Sequence, residues 1–213
     1  ARLEGLLHLT REMLGHADPE IVYPAAARAA AGLLGVEVAT LWLLEEDALV
    51  LRAVAGREAP ASLTGERMPA HEGLTGHMLK IRRPLLCHSA DEWPVEAAHF
   101  GEEESVQSVL AVPLQVGGYT LGTLTTQSYR RHAFSEDDIP LLTTLASQAA
   151  AVIQNARLFQ SVQRQVLQLS ILHAVAQAAA RSGPAAPDPE EVTRRAMETL
   201  SQRVNYDFLA LLL

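Results

Sequence analysis

The 213 residues carry 48% hydrophobic and 20% charged side chains, enough apolar material for one full core and the start of another, so disorder is not expected. Seventeen basic against 25 acidic residues give a formal charge of −8 with the arginines scattered, a balance that repels nucleic-acid phosphates and anionic membrane faces. Cys87 is the only cysteine, which excludes an internal disulfide framework, and no apolar run reaches the roughly 20 residues of a membrane span or forms a signal-peptide core; these features point to the cytoplasm.

In chain order, Leu3, Leu6, Leu7, Thr10 and Leu14 follow helical spacing and predict a first helix that stops at Gly15. Asp18 as N-cap and Pro19 at the first helical position open a second, alanine-rich helix ending at Leu34 before Gly35. Val38 to Leu44 and Ala48 to Ala55 read as strands of a hairpin turning at Glu45-Glu46-Asp47. Gly73-Leu74-Thr75-Gly76 opens a short helix with Leu74, Met78 and Ile81 on one face, stopped by Pro84, and Leu85 to His88 reads as a short strand. Val106 to Val116 and Tyr119 to Gln127 flank Gly117-Gly118, the signature of a tight second hairpin.

Ser135 is then an N-cap with Glu136, Asp137 and Asp138 in the first turn and Phe134 placed to staple onto Ile139. From there a long helix runs to Ser182-Gly183-Pro184, with Pro140 making its start irregular; at 1.5 Å per residue it spans roughly 70 Å. Leu145, Ala149, Val152, Ala156 and Phe159 step by four and three, and Val162, Val166, Leu169 and His173 continue this coiled-coil seam after a stammer-like three-residue step. Asp188-Pro189-Glu190 repeats Asp18-Pro19-Glu20, and Asp207-Phe208-Leu209-Ala210-Leu211-Leu212 falls in register with Glu37-Val38-Ala39-Thr40-Leu41-Trp42. The expected division is therefore a first domain over residues 1–160, a connecting helix and linker over 161–183, and the start of a second, similar domain over 184–213, with the chain read as part of a larger protein.

Four pieces in order carry a family resemblance: Gly73-Leu74-Thr75-Gly76; Ser108-Val109-Leu110-Ala111-Val112-Pro113-Leu114; Gly118 through Gly122-Thr123-Leu124; and Phe134-Ser135-Glu136-Asp137-Asp138 with the helix to Asn155-Ala156. Over about residues 5–160 the chain resembles a GAF domain. The resemblance implies an α+β fold, a GAF-like central antiparallel sheet flanked by helices, with a long C-terminal signalling helix. It also implies a ligand pocket on the sheet face opposite the terminal helices, under the segment between Gly73 and Val106, and a homodimer formed through terminal helices.

Small-ligand sites combine aromatic walls with a few polar anchors, and the candidates of that kind are Trp93, Phe100, Thr123, Thr125, Gln127 and His88. Cys87-His88 is similar to the pair that anchors bilin in photoreceptor relatives, but it lies in the strand before the expected position, which favours a buried structural thiol. Of the signature of cyclic-nucleotide-binding relatives only Phe134 and Asp138 remain, and both have helix-capping explanations. Glu102-Glu103-Glu104 stands where a haem-binding relative needs a histidine, leaving His99 as the nearest, and one cysteine cannot run the cycle of relatives that reduce free methionine sulfoxide. The histidines at 71, 77, 88, 99 and 132 lack metal-ligand spacing, so neither a metal site nor a catalytic residue is expected. The expected function is a cytosolic sensory module that takes a small ligand or partner and transmits through a dimerising helix, as part of a multidomain bacterial signalling protein such as a sensor histidine kinase or diguanylate cyclase. The alternative is a ligand-free dimerisation scaffold.

Overall fold

A computed structural model describes residues 18–57, 63–94 and 106–181. The helix expected up to Leu14, Phe100, His99 and the repeat over 184–213 lie outside the described residues. The described residues up to Arg157 belong to one compact unit and those from Leu158 to a second.

Helix α1 (Pro19–Leu34) starts as its sequence predicts: the Asp18 carboxylate accepts the Glu20 amide at 3.0 Å, and Gly35 ends the helix in the left-handed conformation with its N–H donated to the Ala31 carbonyl at 2.8 Å. Pro24 lies inside the helix and leaves the Glu20 carbonyl without its usual donor. Strands β1 (Val38–Glu45) and β2 (Ala48–Ala55) form the first hairpin, and β5 (Ser108–Val116) and β6 (Tyr119–Ser128) the second. Gly117 and Gly118 both take positive φ in the β5–β6 turn. β3 (Arg67–Pro69), helix α2 (Gly73–Ile81) and β4 (Leu85–Cys87) lie between the hairpins, and helix α3 (Asp138–Arg181) closes the described chain. The six strands pair antiparallel in the order β3-β2-β1-β6-β5-β4.

Because directly opposed residues of paired strands share a face, the register assigns each side chain. Ala39, Leu41, Leu43, Leu110, Val112, Leu114 and Leu124 face one way and join the apolar residues of α1 and α3 in the main core. The alanines of α1 allow that helix to lie close against the sheet, and α3 contributes Leu142, Leu145, Ala146, Ala149, Ala150, Val152 and Ile153. At the edge of this layer the Glu45 carboxylate accepts Arg52 Nε at 2.9 Å and Arg157 at 3.3 Å, tying β1 and β2 to the last residue of the first unit. Burial alone would lower the Arg52 pKa, but the neighbouring Glu45 outweighs it and holds the guanidinium above its ordinary value.

The start of α3 shows why Pro140 matters. Asp138 and Ile139 donate to the carbonyls of Ser135 and Glu136, a tighter i to i+3 turn, because Pro140 has no amide to offer Glu136. Asp138 reaches back to accept both the amide and the hydroxyl of Ser135 at 2.9 Å, and Phe134 is buried in the core that Ile139 packs against. Phe134 and Asp138 thus serve the helix start.

The predicted seam is not one surface. Leu145, Ala149, Val152 and Ala156 are buried within their own unit, whereas Phe159, Val162, Val166 and Leu169 are exposed. The same periodicity serves a sheet-packing helix face and then a bare apolar stripe, because both need residues on one side of a helix.

Candidate functional site

On the sheet face away from α1 and α3, three cross-strand rows are set by register. Val38, Gln127, Val109 and Cys87 form one; Thr40, Thr125, Ala111 and Leu85 the next; Trp42, Thr123 and Pro113 the third. Helix α2 packs on β5 and β6. Its Met78 is buried with Val106, Val109 and Ala111, and Leu74, Ile81, Leu85, Trp93 and Tyr129 pack around them. Trp42, Leu49 and Leu51 form the neighbouring cluster with Leu79 of α2.

Of the sequence candidates, Thr123, Thr125 and Gln127 therefore share this face, and Trp93 belongs to the cluster beside it. The side chains of Thr123 and Thr125 are 0% and 2% exposed, and neither hydroxyl has a hydrogen-bond partner. His88 is elsewhere: pairing of β4 ends at Cys87, and beyond it His88 donates its amide to the Glu92 carboxylate at 2.6 Å, accepts the His132 amide at 2.9 Å and stacks its ring on His132 at 5.1 Å. That corner is built by the chain turning through the short 3₁₀ segment Ala90–Glu92, which local sequence spacing does not announce.

Cys87 is buried in β4, its Sγ 3.8 Å from the Glu92 carbonyl oxygen. Burial, and secondarily the Glu92 carboxylate, pushes the thiol up to about 11 from 9.0. A raised value means that the folded chain holds the proton more tightly. The associated stability is complete below pH 9.0 and is lost as pH rises toward about 11. At pH 7.5 the native chain is expected to resist a thiol-selective disulfide reagent and to react only on unfolding; stoichiometric labelling of the native state within minutes would contradict this placement.

An open groove of about 660 Å³ is lined by Ala70, His71, Glu72, Gly76, His77, Leu79 and Lys80. None of the sequence candidates lines it. Its one sequence signal is Gly76, where an added Cβ would lie 2.5 Å from the His71 carbonyl carbon; the glycine lets the backbone before α2 press against the helix. Among the described residues, no cluster of three or more histidine, cysteine, aspartate or glutamate side chains is arranged to hold a metal ion, and no helix is long and apolar enough to cross a membrane.

The six-stranded sheet with α2 on one face and α1 and α3 on the other matches several solved structures. The GAF domain of a phosphoenolpyruvate-protein phosphotransferase from Coxiella burnetii aligns with a TM-score of 0.68 at 25% identity, covering 75% of this chain and 96% of the other. A free methionine-R-sulfoxide reductase from Neisseria meningitidis aligns at 0.63 and 22% identity, covering 73% and 90%. Part of a methyl-accepting chemotaxis protein aligns at 0.60 and 17% identity, covering 71% and 98%. The last two likenesses concern the fold alone, which serves catalytic and signalling proteins alike. The GAF domain family model matches residues 16–154, the span containing the sheet, α2 and the core-packed part of α3. This chain belongs to the GAF domain family.

Proposed function

We propose that this chain is a cytosolic sensory module: a small ligand or partner engages the sheet face under α2, and the two states so distinguished are read through α3 by a homodimer. The observation that carries the reading is the division of α3, whose Leu142 to Ile153 portion is built into the sensor core while Phe159, Val162, Val166 and Leu169 present an apolar stripe. A ligand with different affinity for two arrangements of the core biases that helix by the same free energy, and about 1–3 kcal/mol of coupling is enough.

A second copy of the chain is the natural partner for the stripe. With Phe159 and Val166 at a positions and Val162 and Leu169 at d positions, the flanking positions are Gln163, Gln165, Ser170 and Leu172. No like charges oppose parallel self-pairing, and a GAF unit continued by such a helix suits the tandem arrangement expected for residues 184–213. Sensor histidine kinases and diguanylate cyclases of bacteria are the proposed setting for this module. The role is regulatory, with no reaction assigned to the site. A ligand-free scaffold is the second reading, favoured by the apolar stripe itself, which requires no ligand to dimerise.

Native mass spectrometry of the gently purified chain reads subunit count and retained small molecules together. A dimer carrying a small molecule supports the sensor, and a dimer without one supports the scaffold. Gln160→Pro, placed after the core-packed portion, is expected to preserve the unfolding midpoint of the GAF unit while abolishing the dimer; a dimer that survives this substitution overturns transmission through α3.

A further inference from the structure

Thr123 and Thr125 alternate along β6, so their side chains rise from one face about 7 Å apart. A buried hydroxyl without a partner carries the full desolvation cost of the group, whereas valine would fill the same volume and suit a strand equally well. Thr126, equally buried on the opposite face, shows the contrast: its hydroxyl donates to the Leu110 carbonyl at 2.9 Å. Of the three buried threonines of β6, the sheet satisfies the hydroxyl of Thr126 and leaves those of Thr123 and Thr125, both on the face under α2, without protein partners.

The surroundings of those two groups restrict what can pair with them. The three rows contain Val38, Gln127, Val109, Cys87, Thr40, Thr125, Ala111, Leu85, Trp42, Thr123 and Pro113, and none of these side chains is charged at neutral pH. A net charge brought into such a layer loses its hydration and gains no counter-charge from these rows, so anionic and cationic ligands are disfavoured there. A hydroxyl both donates and accepts, which suits carbonyl, amide and ring-nitrogen groups alike. Trp42 lies in the Thr123 row and Trp93 packs in the adjacent cluster, which adds flat apolar walls.

We infer that the ligand sensed on this face is a neutral, planar molecule with two hydrogen-bonding groups about 7 Å apart, held by Thr123 and Thr125. The inference rests on the sensory reading above. Both hydroxyls are sealed from solvent, so occupancy requires the layer over them to yield, and α2 is the element that packs across this part of the sheet.

The test uses thermal unfolding of the whole chain with three matched pairs: nicotinamide against nicotinate, indole against indole-3-acetate, and adenosine against its 5′-monophosphate. At least one neutral member is expected to raise the midpoint while its charged counterpart does not. Thr123→Val and Thr125→Val are expected to remove that shift while raising the unliganded midpoint by about 2–4 °C each. Equal or larger shifts from the charged members overturn the neutral class and leave the sensory reading intact. Lower unliganded midpoints in both valine variants show hydroxyls already satisfied in the free protein and overturn the inference. A panel in which nothing binds overturns the inference, whereas the sensory reading is decided separately by the small molecule retained in native mass spectrometry.

Discussion

Gly122→Ala is expected to disrupt the centre of the sheet. Gly122 lies opposite Leu43 on β1 and Leu114 on β5, and a Cβ built there would be 1.9 Å from the Trp42 carbonyl oxygen and 2.8 Å from Leu43 Cα. Both obstacles are backbone, so a rotamer change cannot relieve them; β1 and β6 must separate in the middle of their pairing. The loss is expected at or above the upper end of the about 1–3 kcal/mol seen for overpacked cores, read as a fall in the urea midpoint. Gly32→Ala is the matched control. It lies in α1 with no atom within 4 Å of the added Cβ, so removing a flexible residue from a helix should gain about 0.5–1 kcal/mol. A Gly122→Ala chain with the wild-type midpoint would refute the close approach of β1 and β6.

Leu145→Ala and Leu169→Ala are expected to behave oppositely although both occupy the apolar seam of α3. Leu145 is 0% exposed within the core shared with α1 and the sheet, so truncation leaves a cavity and costs about 2–5 kcal/mol. Leu169 is 66% exposed, and its truncation should leave the unfolding of the isolated protomer within about 0.5 kcal/mol. The difference reverses for self-association: Leu169→Ala should weaken the dimer, measured by sedimentation equilibrium, because it removes a d-position contact. Equal stability losses at the two positions would show that the stripe is packed within one chain, and the dimer proposal would fall with that result.

Elements with strong local chemistry were legible in the sequence. Asp18-Pro19 and Gly35 bound α1 because an N-cap carboxylate, a fixed φ and a left-handed glycine act within a few residues. Gly117-Gly118 marks the β5–β6 turn because both residues need positive φ. The strand that carries Thr123, Thr125 and Gln127 was legible from its alternation and the glycines before it, and the register then puts the three on one face. By itself, then, the sequence determined α1, α2 and the start of α3, their caps and turns, the two hairpins and the GAF resemblance.

Only the tertiary structure decided where equivalent patterns diverge. β3 is three residues, Arg67-Met68-Pro69, with no alternation to mark it, and it exists because the edge of β2 supplies its partners. Apolar spacing marks both Leu145 and Leu169 as seam residues but does not say what covers them, and the first is buried in the core of its unit while the second is exposed. Hydrogen-bond satisfaction is equally non-local: Thr126 meets the Leu110 carbonyl from a neighbouring strand while Thr123 and Thr125 meet no protein acceptor. The surroundings of His88 are non-local as well: its backbone amide donates to Glu92 and its ring stacks on His132, brought in from 44 positions later in the chain. Local rules act over three or four residues, whereas burial and pairing depend on segments brought together from across the chain.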